Sequence, residues 1–357
     1  MGMIRDERGL LRPPPTPVDF IRQLRRLAPE LEKHFLLTFV PIMNKDSTEV
    51  TPLDWQVMAT AVHDRLSEDY DGFVVIHGTD TMHFSASALS LALRGHIDRP
   101  VVFTGAQTTL DVVHGDARTN LVRAVAVAGS DLAEVVIVFG EGIYRGCRAQ
   151  KRHESRLEAF ESPAYPPLGY IADEVNLSHN ATRRPLTKHD SSCADFSANF
   201  AGGVVTLSLV PGLEPDMVRT LLNTDTCRAV ILQSFGPGNV PSDLLPVISE
   251  ATTLHKPVLI TSQFAANSTL HSAYAPGRAA VEAGAIATGN MTTACAVAKL
   301  RWVLARVDHK IKRLDLPQSE RIALVHQEMA TVFVGEMDEP TQGGAPTGVQ
   351  ASAPLHE

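Results

Sequence analysis

Asp71–Met82 reads DGFVVIHGTDTM, and this stretch decides the fold. Phe73–Ile76 is a run of β-branched and aromatic residues, the composition of a strand buried on both faces. It stops at His77-Gly78-Thr79-Asp80-Thr81, a turn rich in helix-capping residue types. From Ser85 to Leu93 the chain is apolar and reads as a helix. The same alternation continues on both sides. Further β-branched runs stand at Leu36–Val40, Val101–Thr104 and Val135–Phe139. Thr51-Pro52-Leu53-Asp54 reads as an N-cap, a proline at the first helical position and an acidic first turn. Trp55, Met58, Val62 and Leu66 follow at helical spacing. Asn120–Ala128 is another helix, with Leu121, Val122, Val125 and Ala128 inward. Strand–helix–strand repetition predicts an α/β fold with a parallel sheet and right-handed crossovers.

The pattern loosens after Pro163, and residues 176–199 are dominated by Ser, His, Asn, Thr and Arg. A second alternating unit starts near Gly203, with strands at Val204–Leu207, Ala229–Gln233 and Val258–Ser262. Its helices fall at about Pro215–Leu222, Asp243–Leu254 and Thr292–Ala305. The expected organisation is a larger N-terminal parallel-sheet domain over 1–175, a linker over 176–202, and a smaller C-terminal α/β domain over 203–336. Residues 337–357 are too polar to bury a core and are expected to be a disordered tail. Two domains suit 357 residues.

Composition narrows the function classes. A net charge of −8 argues against a nucleic-acid surface built on bulk positive charge. The four cysteines, Cys147, Cys193, Cys227 and Cys295, show no Cys-x-x-Cys spacing, so neither a metal site nor a disulfide framework is expected. No apolar run reaches the ~20 residues of a membrane span. MGMIRDERGLLRPPP lacks the apolar core of a secretory leader. The expectation is a cytoplasmic protein with no membrane partner.

Ligands of open parallel sheets sit beyond the carboxyl ends of the strands. Attention therefore falls on His77–Thr81 and on Thr104-Gly105-Ala106-Gln107. A threonine hydroxyl becomes a nucleophile when a neighbour takes its proton, and a lysine serves as that base when its charged form is disfavoured. A carboxylate can orient the lysine or hold a substrate ammonium. Taken alone, these residues leave other readings open. A Gly-Thr-Asp turn also caps helices, His77 also suits a packed core, and a lysine in the basic run around Lys151 also suits solvent. Glycine turns cradle phosphates too, but neither the Walker nor the dinucleotide glycine pattern is present.

Taken together and in order, the motifs resemble the asparaginase family. DGFVVIHGTDTM and RPVVFTGAQ are similar to its two signature strand ends. DSTEVTPLDW resembles the substrate loop and following helix of the cytosolic, type I members. IYRGCRAQKRHESRLEAFESPAYPPL resembles the segment that carries the family's catalytic lysine. SFGPGNVP and AIATGNMTTACAVAKL extend the likeness to about residue 305. The resemblance implies a flavodoxin-like or Rossmann-like N-terminal sheet and hydrolysis of L-asparagine to L-aspartate and ammonia, with no metal or organic cofactor. By position it assigns catalytic roles to Thr79, Asp80 and Lys151. It gives substrate binding to Asp46, Ser47 and Thr48, with Ser47 as the direct contact, and to Ala106 and Gln107 beside the scissile amide. It also implies a homodimer or homotetramer.

The chain departs from the family pattern in four places. The family opens with a strand ending in Thr-Gly-Gly-Thr, whose second threonine is the usual nucleophile. Gly2-Met3 matches the residues just after it, so that threonine is expected immediately before Met1, together with a central strand encoded upstream. Without that strand, a slot is expected in the sheet. Leu10 stands where type I relatives often carry a lid tyrosine, Ala294 where they often carry glutamate, and Gln233 where some carry an arginine tied to allosteric activation. Allosteric activation is therefore not expected. Two rival readings follow: a catalytically impaired asparagine or aspartate binder on the same scaffold, and the asparaginase-like subunit of a tRNA-dependent amidotransferase.

Overall fold

The structure, a computed structural model, describes residues 1–185, 196–264 and 275–339. A small antiparallel hairpin opens the chain, β1 (Ile4–Arg5) against β2 (Leu11–Arg12). The Asp6 carboxylate holds its turn by accepting from the Arg8 and Leu10 amides. Helix α1 (Pro17–Leu27) starts at a proline, and the hydroxyl of Thr16 caps it by accepting from the Asp19 amide. Short α2 (Leu31–His34) follows. Helix α3 (Pro52–His63) begins where its cap predicts, with the Thr51 N–H donating to Asp54 at 2.7 Å.

The core alternation then runs β3 (Phe73–Ile76), α4 (Met82–Ala92), β4 (Val101–Thr104), α5 (Ala117–Ala128) and β5 (Val135–Phe139). Short strands follow: β6 (Gly142–Arg145), β7 (Gln150–Lys151), β8 (Phe160–Glu161), β9 (Gly169–Ile171) and β10 (Val175–Leu177). The second unit is β11 (Val204–Ser208), α6 (Pro215–Leu222), β12 (Ala229–Ser234), α7 (Leu245–Thr253), β13 (Val258–Ser262), α8 (Ala275–Glu282) and β14 (Ile286–Ala287). Long α9 (Thr293–Leu314) and α10 (Arg321–Ala330) close it.

The large sheet has the order β10-β9-β6-β5-β4-β3. Its β3-β4-β5 part is parallel, as the alternation predicts, while β6, β9 and β10 are antiparallel additions. The smaller sheet, β11-β12-β13-β14, is wholly parallel. The chain is thus a mixed α/β protein with a larger N-terminal sheet and a smaller C-terminal one.

One expected strand does not form. Residues 36–40 are extended chain without ladder pairing, and Leu36 is fully exposed. A β-branched run becomes a strand only with a partner edge. The nearest such edge, that of β3, pairs only with β4 among the described residues. Exposure records the same gap. All four residues of β4 are buried, whereas all four of equally apolar β3 are only partly so.

One hydrophobic cluster spans both units. Helix α4 lies between the large sheet and α9, and Met82, Leu89, Leu91, Trp302 and Leu304 belong to one cluster. Ser87 and Ser90 sit inside α4 by donating to the carbonyls of His83 and Ala86, four residues back. After α10 the chain returns to the first unit. Arg148 donates to the Gly335 carbonyl at 2.6 Å and pairs with Asp338 at 3.0 Å. Met337 is buried, so order continues past residue 336 to at least Asp338. The disorder expected over 337–357 otherwise falls on 340–357, outside the described residues, as do 186–195 of the expected linker.

Candidate active site

The site lies at the carboxyl ends of β3 and β4, where an open parallel sheet places its ligands. Gly78-Thr79-Asp80-Thr81 links β3 to α4 and is fixed from beneath by His77. His77 Nδ1 is 2.7 Å from the Gly78 carbonyl, and Nε2 is 3.0 Å from Ser85 Oγ. A carbonyl only accepts, so Nδ1 carries the proton and Nε2 accepts from the serine hydroxyl. Burial holds the ring neutral by pulling its pKa below the usual imidazole value. His77 therefore positions the turn, as a packed core histidine does.

Thr79 is 8% exposed, at the floor of the site. Its hydroxyl donates to Gln107 Oε1 at 3.1 Å and accepts from Lys151 Nζ at 2.8 Å. Lys151 also donates to Asp80 Oδ1 at 2.6 Å. The lysine side chain is nearly enclosed, while the Asp80 side chain is 60% exposed. A hydroxyl, an amine and a carboxylate thus stand in a row from the protein interior to solvent. Strand β7 delivers Lys151 across 71 residues of chain by pairing with β8, where Lys151 lies opposite Phe160.

Gln107 follows β4 and is itself fixed. Its amide nitrogen donates to the carbonyls of His153 and Arg156, and its backbone N–H donates to Asp116. Asp116 also accepts from the Thr108 amide and hydroxyl and from Asn120. Ala106 is turned away from solvent and packs with Met1, Leu24, Ala117 and Leu121. Ser47 is buried against the turn. A Cβ added at Gly78 would lie 2.6 Å from Ser47 Oγ, so only glycine permits this approach. The Thr81 hydroxyl donates to the Ser47 carbonyl. Asp46 and Thr48 bond to one another, and Asp46 caps the short 3₁₀ turn Ser47–Glu49.

The structure therefore brings Thr79, Asp80, Lys151 and Gln107 into direct contact, with Ser47 alongside. It leaves Asp46 and Thr48 engaged with each other, and Ala106 inside an apolar cluster. Two residues of the site escaped the sequence reading. Asp116 organises the 107–108 turn, and its only signal was an acidic residue just before a helix. His83, on the first turn of α4, lies among Lys151, Asp80 and Phe160. Its Nδ1 is buried without a hydrogen-bond partner, and burial, aided by the Lys151 charge, lowers its pKa to about 4. Among the described residues, no three His, Cys, Asp or Glu side chains gather as metal ligands. No described helix is long and apolar enough to cross a membrane.

Residues 2–183 match the family model "Asparaginase, N-terminal", and residues 203–314 match "Glutaminase/Asparaginase C-terminal domain". The chain is 32% identical over 329 residues to L-asparaginase 1 of Escherichia coli K12, covering 90% of this chain and 94% of that protein. It is 31% identical over 322 residues to a glutamyl-tRNA(Gln) amidotransferase subunit of Methanosphaera stadtmanae, covering 88% of this chain and 70% of that protein. Among solved structures, the thermostable L-asparaginase from Thermococcus kodakarensis superposes with a TM-score of 0.77 at 28% identity, covering 95% of this chain and 96% of that one.

Proposed function

The chain belongs to the asparaginase family of amidohydrolases, and on that premise we propose that it hydrolyses L-asparagine to L-aspartate and ammonia. The observation that carries the reading is the contact of Lys151 Nζ with both Thr79 Oγ1, at 2.8 Å, and Asp80 Oδ1, at 2.6 Å. Such a row can pass a proton between a hydroxyl at the floor of the site and a carboxylate at its mouth. A threonine oxygen attacks the side-chain carbonyl carbon, ammonia leaves with a proton, and water then cleaves the resulting ester. In this reading the attacking threonine is the one expected just before Met1. Thr79, Lys151 and Asp80 move the protons, while Ser47 and exposed Asp80 hold the charged groups of the amino acid. No metal or organic cofactor is needed for these steps. The family resemblance supports a homodimer or homotetramer working in the cytoplasm on a free amino acid.

The test is ammonia release from L-asparagine and L-glutamine by the protein carrying a Thr-Gly-Gly-Thr strand fused before Met1 and by the same fusion with Lys151→Met, with L-aspartate binding measured on both. Loss of general acid–base help costs about 10²–10⁴-fold, so kcat should fall by that factor while aspartate still binds. A parent protein that binds aspartate yet releases no ammonia, even with a Thr-Gly-Gly-Thr strand fused before Met1, is the impaired binder instead. The 31% identity to an amidotransferase component favours a second reading, a glutamine-dependent subunit acting with tRNA. Ammonia release that appears only when tRNA and a partner protein are added would select it.

A further inference from the structure

Lys151 is short of one acceptor. A lysine ammonium carries three protons. Among the described residues, those of Lys151 find two acceptors, Thr79 Oγ1 and Asp80 Oδ1. The lysine side chain is only 13% exposed, so water does little to serve the third proton. An enclosed donor left without an acceptor is costly, and more so when it is charged. The Asp80 contact is also open to competition. Its side chain is 60% exposed, and in the asparagine reading it takes the ammonium of the amino acid from the solvent side. A bound amino acid then contests the carboxylate on which Lys151 leans.

A matching acceptor stands nearby. Of the two ring nitrogens of His83, only Nδ1 is both enclosed and without a hydrogen-bond partner. His83 begins α4 just after the Thr79-Asp80 turn. Lys151 lies opposite Phe160 in the β7–β8 pair, and residues opposite one another carry their side chains on the same face. The Phe160 ring meets the His83 ring edge-on, 6.4 Å between centroids and 68° between planes. Lys151 and His83 are therefore neighbours of one phenyl ring. Burial and the Lys151 charge both keep the imidazole neutral. A neutral imidazole has one N–H and one bare nitrogen. An N–H is wasted at enclosed, unpartnered Nδ1, so the proton belongs on Nε2 and Nδ1 is the bare acceptor.

We propose that His83 is a positioning residue for Lys151: its Nδ1 accepts the third lysine proton once an amino acid engages Asp80, and so keeps the lysine nitrogen on the Thr79 hydroxyl. At rest that contact is not made, and Asp80 holds the lysine at 2.6 Å. The flexible four-carbon stem of lysine lets the nitrogen turn between the two acceptors. The inference rests on the reading of Asp80 as the partner of the substrate ammonium.

Ring-nitrogen NMR spectra of the histidine-labelled protein test it. The His83 signals are those missing from His83→Phe and His83→Asn. Accepting a hydrogen bond moves a bare ring nitrogen upfield. Saturating L-aspartate should therefore move His83 Nδ1 upfield in the parent and leave it in place in Lys151→Met. An unmoved signal with aspartate bound overturns the proposal, and so does an equal shift in Lys151→Met. A protein that binds no aspartate fails the asparagine reading itself, and the proposal falls with it. Turnover gives a second measurement, in the Thr-Gly-Gly-Thr fusion. His83→Phe should lower kcat about 10–100-fold, the worth of one hydrogen bond to a charged group. KM should change little, because the lysine falls back on Asp80. His83→Asn, whose side-chain oxygen can accept near the Nδ1 position, should recover most of the loss. A His83→Phe enzyme with the parent kcat overturns the proposal, as does a His83→Asn enzyme no better than His83→Phe. If the fusion releases no ammonia, the spectra alone decide.

Discussion

At the residue scale, His83 is enclosed beside Lys151 with no hydrogen-bond partner for its Nδ1. Its pKa of about 4 in the fold lies below the 6.5 of a free imidazole. On acidification the unfolded chain takes the proton first, so stability is lost as pH falls from 6.5 to about 4. The full loss corresponds to about 3 kcal/mol. His83→Leu should flatten the pH dependence of the melting temperature over that window, leaving the slope due to His77 and His96, whose pKa values burial also lowers. An unchanged slope would remove His83 from the account. The sequence reached this site unevenly. Thr79 and Asp80 could be read because a capping turn after a strand is a local signal. Lys151 could not be placed from spacing, because 71 residues and a two-residue strand intervene. Only family resemblance singled it out. Asp116 acts through backbone amides of a neighbouring turn, a role that leaves no pattern in the chain.

At the scale of elements, the alternating strands and helices from α3 onward were legible, whereas helix α1 and the strands after β5 in the large sheet were not read. The expected strands at Phe73–Ile76, Val101–Thr104, Val135–Phe139 and Val258–Ser262 form as read, as does the helix Pro215–Leu222. Strands β6 to β10 span two to four residues each, too few to show a period. Helix α10 buries Val325 and Met329 in a stripe only one turn long, so its apolar face is too brief to stand out. Local capping was the most transferable signal. Asp54 accepts from the N–H and the hydroxyl of Thr51 and pairs with Lys45. Asp54→Ala should cost about 1 kcal/mol, seen as a shifted urea midpoint at unchanged slope. A midpoint within error of the parent would show that the fold holds α3 without its cap.

At the scale of the whole molecule, a wholly buried ion pair fixes the return of the chain after α10. Lys299 Nζ meets Glu336 at 2.6 Å and donates to the carbonyls of Met329 and Thr331. Glu336 accepts from the Phe333 and Val334 amides. All three ammonium protons are thereby used. Glu336→Leu leaves a buried charge unpaired and should cost about 3–5 kcal/mol by denaturant unfolding, with much of it recovered in the double variant Lys299→Met/Glu336→Leu. A single variant as stable as the parent would show that the strap is not needed. The same strap also bears on how the protein is made. Arg148, in the first unit, is held by Gly335 and Asp338, and α4 is covered by α9. A ribosome releases the N-terminal half long before those residues emerge. That half must therefore wait, its helix α4 uncovered, until nearly the last described residue has been synthesised. During translation this is the interval in which chaperone binding would matter most.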